Sequence, residues 1–192
     1  MTSMQPNLLA VDWRKIPPPE DDGAARHLTG QSLPSIDLDA TSGAKINLAQ
    51  LRGRSVVYVY PMTGRPGVAL PDGWDEIPGA RGCTPQSCAF RDHHAELLAA
   101  GANRVFGLST QETAYQREAA DRLHLPFALL SDAALALASA LSLPSMTVGG
   151  KTLLKRMSMI LDDGRIMHVA YPVFPPDRNA ADVLAWLKAN PR

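Results

Sequence analysis

Apolar residues recur along the chain at spacings typical first of strands and then of helices. Residues 55–60, SVVYVY, form a continuous β-branched and aromatic run that ends at Pro61, as in a strand buried on both faces of a sheet. Before this run, SIDLDATSGAKINL alternates apolar and polar residues around residues 41–43, which predicts a hairpin. We therefore expect a hairpin followed by a central strand.

The second half of the chain alternates predicted strands and helices. Helices are predicted over residues 84–100, 111–123, 133–141 and 178–188, and strands over 105–110, 127–130 and on both sides of Asp163-Gly164. Strands that alternate with helices are typical of βαβ units, whereas a turn at Asp163-Gly164 predicts an antiparallel hairpin. The pattern predicts an α/β domain whose mixed central sheet carries helices on both faces.

Two segments interrupt this pattern because they are polar or rich in proline and glycine. Residues 1–32 include three consecutive prolines followed by acidic residues, which predicts an extended or loosely docked arm in front of one domain at residues 33–190. Residues 61–82 hold four prolines and five glycines, so we expect a long loop at about 62–81. Loops that follow central strands commonly carry functional residues.

Charge and hydropathy exclude several classes of partner. The 192 residues contain 19 Lys and Arg against 19 Asp and Glu, a formal net charge of zero. Such a surface does not attract a polyanion, so neither nucleic acid nor an acidic membrane surface is expected as a partner. No apolar run approaches the roughly 18 residues of a membrane span, and the first residues lack a basic region followed by an apolar core. We expect a cytosolic protein.

The chain has two cysteines, Cys83 and Cys88. Cys83 stands at the start of a predicted helix, where free backbone N–H groups and the helix dipole favour a thiolate, the reactive form of the thiol. In an ideal helix the two Cα atoms would be about 8.6 Å apart, whereas a disulfide usually needs under about 7 Å. Oxidation of Cys83 to a sulfenic acid and its capture by Cys88 would therefore require the first turn to unwind.

Other interpretations of the two cysteines remain open at this point. They could be small core residues. A zinc site with His93 and His94 is disfavoured, because the thiols lie within one helix and adjacent histidines point about 100° apart. A static disulfide is disfavoured by the cytosolic setting and the spacing. The absence of a Cys-x-x-Cys motif weakens a disulfide-exchange function.

The segment GCTPQSCAFRD, residues 82–92, resembles the active-site segment of the peroxiredoxins, especially the bacterioferritin-comigratory group. The resemblance extends over about residues 33–190. It implies a thioredoxin-like three-layer fold and hydroperoxide reduction, with Cys83 as the peroxidatic and Cys88 as the resolving cysteine. It also implies a thioredoxin-like thiol donor and neither cofactor nor metal. The alternatives are a thiol–disulfide oxidoreductase and a redox-sensing binding module, and the oligomeric state is left open.

Arg156 lies in KRMSMILDDGRI, which looks like the arginine-bearing strand of that family. The resemblance implies that Arg156 stabilises the thiolate and binds the peroxide oxygens. Period-two alternation places Arg156 on one face with Leu154 and Ile160, which predicts partial burial.

The chain departs from the family pattern before Cys83. The family has a threonine three residues before the cysteine, where this chain has Ala80, after about fifteen inserted residues. Thr63, Thr84 or a backbone N–H could take the place of that threonine. The inserted loop is either a lid over Cys83 or a surface decoration.

Overall fold

The computed structural model describes residues 11–192. Its strands are β1 (Asp37–Ala40), β2 (Lys45–Asn47), β3 (Arg54–Val59), β4 (Arg104–Ser109), β5 (Leu129–Ser131), β6 (Ser145–Val148), β7 (Lys151–Leu154), β8 (Met157–Asp162) and β9 (Arg165–Ala170). Its helices are α1 (Cys83–Asp92), α2 (His94–Ala99), α3 (Thr113–Arg122), α4 (Ala136–Leu141) and α5 (Asn179–Ala189). Seven strands form one sheet in the order β2-β1-β5-β4-β3-β8-β9, and β6 pairs with β7 in a separate hairpin.

The sheet is mixed, as predicted. Strand β3 runs parallel to β4 and antiparallel to β8, and all six of its residues are buried. Because side chains alternate along a strand, Val57 belongs to a core cluster shared with α4, whereas Tyr58 belongs to a cluster shared with α1, α2 and α5. Helices therefore cover both faces, and the α/β prediction is confirmed.

The helix predicted over residues 84–100 is divided into two. Gly82, not Thr84, precedes its first turn, and the chain breaks from helical geometry at His93. The Ala89 carbonyl accepts the backbone N–H of His93 and contacts the His93 ring nitrogen at 3.0 Å. Such local side-chain bonds compete with continuation of a helix.

The predicted position of Arg156 on a strand is wrong. Arg156 lies in the short link between β7 and β8, and the β6–β7 hairpin before it was missed by the sequence pattern. Leu154 and Ile160 belong to opposite core clusters, so Arg156 does not share a face with both. Its burial is nevertheless confirmed, since it is 2% exposed.

The predicted extended or loosely docked arm includes residues 1–10, which lie outside the described part of the chain, whereas residues 11–32 pack closely on the domain. Leu28 is completely buried in the core. The Trp13 indole N–H donates to Asp177 at 2.8 Å, and its ring packs edge-on against Phe174. These apolar residues were missed because the segment is mostly polar and they are too widely spaced to form a periodic pattern.

The inserted loop packs against the β6–β7 hairpin. It contains a single 3-10 turn, Trp74–Glu76. Trp74 and Ala80 form a small core cluster with Leu153 of β7. The loop is therefore anchored at its middle and its end. Between residues 11 and 192, no helix is both long and apolar enough to cross a membrane.

Candidate active site

Cys83 is the first residue of α1 and is 3% exposed. Gly82 precedes it with a φ of 109°, a conformation that glycine adopts without the steric cost of a Cβ. The first intrahelical hydrogen bond runs from the Gln86 N–H to the Gly82 carbonyl. The N–H groups of Cys83 and Thr84 thus have no partner within the helix, and they favour negative charge at this end.

Three groups surround the Cys83 sulfur. The Nη2 of Arg156 lies 3.2 Å from Sγ and the backbone N–H of Met62 donates to Sγ over 3.4 Å. The Ala80 carbonyl is 3.7 Å away and accepts the thiol hydrogen. A thiolate at this position would therefore be stabilised by a cation and by a backbone N–H.

Arg156 is held rigidly by the loop that precedes α1. Its Nη2 contacts the carbonyls of Gly79, Ala80 and Arg81 at 3.3, 3.0 and 3.2 Å, and its Nη1 donates to Gln86. Across residues 11–192 no carboxylate pairs with Arg156. Because a buried cation needs a compensating anion, the Cys83 sulfur is the group best placed to supply it.

Buried hydrogen bonds fix the orientation of Gln86, and the sequence analysis missed them. Gln86 Nε2 donates to Asn179 Oδ1 at 2.9 Å, and Asn179 Nδ2 donates to Ser158 Oγ at 3.1 Å. All three residues are at most 1% exposed. The sequence signal for Gln86 was its position three residues after Cys83, within the first turn of α1. Asn179 had no such signal, because it lies at the start of α5, far away along the chain.

Cys88 lies in the same helix as Cys83, and both thiols are free. Burial raises the pKa of the Cys88 thiol, while the nearby Arg91 opposes this effect. Cys88 therefore tends to remain a neutral thiol while α1 is intact. Both cysteines lie in one helix, as predicted. Their spacing of five residues corresponds to different faces of that helix.

A narrow pocket opens in front of Cys83. It is lined by Met62, Gly64, Leu70, Trp74, Arg81, Gly82, Thr84 and Pro85. Thr63 does not line the pocket. Its hydroxyl and backbone N–H both donate to Gln111 Oε1, at 3.1 and 3.0 Å. Of the two threonines considered from the sequence, only Thr84 lies at the pocket. Arg156 contacts the sulfur but does not line the pocket.

Cys83, Cys88, His93 and His94 do not form a zinc site in the part of the chain that the structure describes. No group of three or more His, Cys, Asp or Glu side chains there is arranged to hold a metal ion. The His94 ring packs near Phe127 with a centroid separation of 5.7 Å. Neither His93 nor His94 lines the Cys83 pocket.

We expect Gly82→Ala to destabilise the protein and to disturb the site. A Cβ on Gly82 would lie 2.6 Å from Trp13 and 2.7 Å from Pro176, in addition to the strain of its positive φ. The free energy of unfolding, measured in urea, should fall by about 2 kcal/mol or more.

Gly101→Ala provides the matched control, because Gly101 has a φ of 102° and nothing within 4 Å of the added Cβ. It isolates the backbone strain from the steric clash. Equal losses of stability in the two variants would show that the packing of Trp13 and Pro176 on Gly82 contributes nothing.

The chain is similar in sequence and in fold to known proteins. The Redoxin family model matches residues 28–184. Peroxiredoxin Q, chloroplastic, of Oryza sativa subsp. japonica is 32% identical over 162 residues, which cover 83% of this chain and 66% of the rice protein. The crystal structure of peroxidoxin BcpB from Mycobacterium tuberculosis superposes with a TM-score of 0.69 at 26% identity, covering 86% of this chain and 100% of that chain.

The Populus jackii peroxiredoxin Q, chloroplastic, is also 32% identical and is covered over 68% of its length. The residues that the Redoxin family model matches span α1 and the Arg156 link. This chain belongs to the redoxin family, as a thioredoxin-fold peroxiredoxin of the peroxiredoxin Q and bacterioferritin-comigratory type.

Proposed function

We propose that this chain is a thiol peroxidase. The Cys83 thiolate attacks one oxygen of a hydroperoxide, forming an S–O bond as the O–O bond breaks, and the second oxygen departs with the electron pair and takes a proton to give water or an alcohol. The observation that carries the proposal is the buried Arg156 guanidinium, which lies 3.2 Å from Sγ and has no carboxylate partner among the described residues. A fixed cation at the reacting sulfur favours the nucleophile.

Cys88 then resolves the oxidised Cys83. Its sulfur attacks the sulfenic acid, an S–S bond forms and water is released. Both residues lie in the first six positions of α1, so the turn between them must unwind before the sulfurs can meet. Unwinding also exposes the Cys88 thiol and removes the burial that raises its pKa. A thioredoxin-like dithiol restores both thiols by exchange.

Hydrogen peroxide and organic hydroperoxides are both proposed substrates. A groove of about 780 Å³ shares Met62, Gly64 and Leu70 with the Cys83 pocket. Apolar side chains such as Val68 and Leu153 line it, and its volume is typical of a small-molecule site. An organic substituent could lie in this groove while the peroxide group reaches Cys83.

The proposal is tested by steady-state consumption of hydrogen peroxide and of cumene hydroperoxide with thioredoxin and its reductase. We expect turnover with at least one of them. Reduction of insulin disulfides without peroxide consumption would instead favour the thiol–disulfide oxidoreductase alternative. A single stoichiometric reaction without turnover would favour the redox-sensing module. The cytosolic location stays a prediction, since the plant relatives are named chloroplastic.

We expect Cys88→Ser to stop the cycle after one turnover. Without the second sulfur no intrachain disulfide can form, so the sulfenic acid at Cys83 should persist and react with dimedone. Turnover with thioredoxin should fall about tenfold or more, while the first rapid reaction with peroxide is retained. Wild-type turnover in this variant would contradict the role assigned to Cys88.

A further inference from the structure

The N–H groups of Arg156 are largely occupied by partners within the protein. Arg156 Nη2 is shared among three carbonyls and the sulfur, and Nη1 is bound to Gln86. Its Nε is fully enclosed and has no acceptor. Arg156 is therefore already engaged with the sulfur and its neighbours, and it is not among the residues that line the Cys83 pocket.

As the O–O bond breaks, negative charge develops on the departing oxygen, and a donor aimed at that position accelerates the step. Ala80 has no hydroxyl, and Thr63 is bound to Gln111. The Arg81 guanidinium lines the pocket but is paired with Asp75 at 3.2 Å. The backbone N–H groups of Cys83 and Thr84 can donate to the peroxide, and a further side chain that lines the pocket would add to them.

Trp74 meets this requirement. It is 4% exposed and lines the Cys83 pocket, and its indole N–H has no hydrogen-bond partner in the described structure. The indole nitrogen is not fully enclosed by protein. The small exposed part of Trp74 therefore includes the N–H. Buried indole N–H groups usually have an acceptor, and an oxygen bound in the pocket that Trp74 lines would supply one.

The position of Trp74 is fixed by packing. Its ring lies in the small core cluster with Ala80 and Leu153, at the start of the 3-10 turn that follows Gly73 at a φ of 69°. A donor held in this way needs little reorganisation when charge develops nearby. Thr84 also lines the pocket, is 3% exposed, and its hydroxyl has no hydrogen-bond partner among residues 11–192.

We propose that the Trp74 indole N–H donates a hydrogen bond to the departing peroxide oxygen, so that the inserted loop supplies a catalytic residue. This inference rests on the proposed peroxidase function. Trp74 keeps its own proton throughout: the S–O bond forms at Cys83, the O–O bond breaks, and the departing oxygen takes its proton from water. The indole stabilises the charge until that transfer.

The test compares Trp74→Phe with wild type in hydrogen peroxide reduction. The phenyl ring keeps most of the packing but lacks the N–H. We expect kcat/KM to fall about tenfold to a hundredfold, while the rate at which iodoacetamide alkylates Cys83 stays within about twofold, since that reaction has no peroxide oxygen to stabilise. Trp186→Phe is the matched control, because Trp186 stacks on His168 and does not line the pocket.

Each outcome decides the inference. An unchanged kcat/KM in Trp74→Phe, with active wild type, would overturn the role of Trp74 and leave the peroxidase proposal intact. A parallel loss in alkylation would show that Trp74 acts only on the structure around Cys83. A loss confined to Thr84→Val would assign the donor to Thr84 instead. Absence of peroxide consumption in the wild type would overturn both proposals together.

Discussion

Replacing Cys83 with serine is expected to abolish peroxide consumption. A serine hydroxyl is nearly the same size as the thiol but remains protonated at neutral pH and is a far weaker nucleophile. The cation and backbone N–H that surround Sγ cannot compensate for this difference. In the thioredoxin-coupled assay we expect a loss of at least about a thousandfold, down to the background rate.

Cys88→Ser is the matched control for this loss, because it removes the other thiol from the same helix. It should retain the first reaction with peroxide, whereas Cys83→Ser should not. An unchanged circular dichroism spectrum would show that Cys83→Ser is folded. Consumption of peroxide by Cys83→Ser at the wild-type rate would mean that another group carries the reaction.

Replacing Arg156 with lysine is expected to give the second largest effect. The guanidinium bridges Gln86, the loop carbonyls and the Cys83 sulfur at once, and a compact ammonium cannot reproduce this planar set of donors. We expect kcat/KM for peroxide to fall by about a hundredfold. Alkylation of Cys83 by iodoacetamide should also slow, because the guanidinium that stabilises negative charge on the sulfur from 3.2 Å is lost.

Arg54→Lys controls for the general cost of altering a buried arginine. Arg54 is 5% exposed and pairs with Asp162 at 2.8 Å, at the end of β3 away from the site. This variant can lose stability but should keep its rate of Cys83 alkylation. If Arg156→Lys and Arg54→Lys slow alkylation equally, Arg156 has no specific effect on the sulfur.

Local signals in the sequence were sufficient to place Cys83 at the start of a helix. Its position depends on Pro85 and on the helical spacing that follows, and both are features of adjacent residues. The β1–β2 hairpin and β3 were predicted for the same reason. The break at His93 was missed, because a single side-chain contact to the Ala89 carbonyl leaves no periodic pattern.

Arg156 shows how a correct expectation can rest on a wrong premise. Its burial was inferred from strand alternation with Leu154 and Ile160, whereas the residue lies between two strands and is buried by the loop carbonyls that it binds. Those carbonyls are more than 70 residues away along the chain. No local pattern encodes such a contact.

The remaining parts of the site depend on the tertiary structure. Trp74 reaches the pocket only because the inserted loop packs on the β6–β7 hairpin, and Asn179 reaches Gln86 from the start of α5. Trp13 packs over Gly82 from an arm whose composition predicted little contact with the core. Each contact joins segments that are distant in sequence.

We propose that Cys83 reduces the peroxide and that Cys88 resolves the resulting sulfenic acid within the same chain. The most direct measurement treats the reduced wild-type protein with one equivalent of hydrogen peroxide, then counts free thiols and maps peptides by mass spectrometry without reductant. We predict that the peroxide is consumed, that both thiols disappear, and that a peptide linked through Cys83 and Cys88 appears with the loss of two hydrogens. Two free thiols beside unconsumed peroxide would contradict the claim.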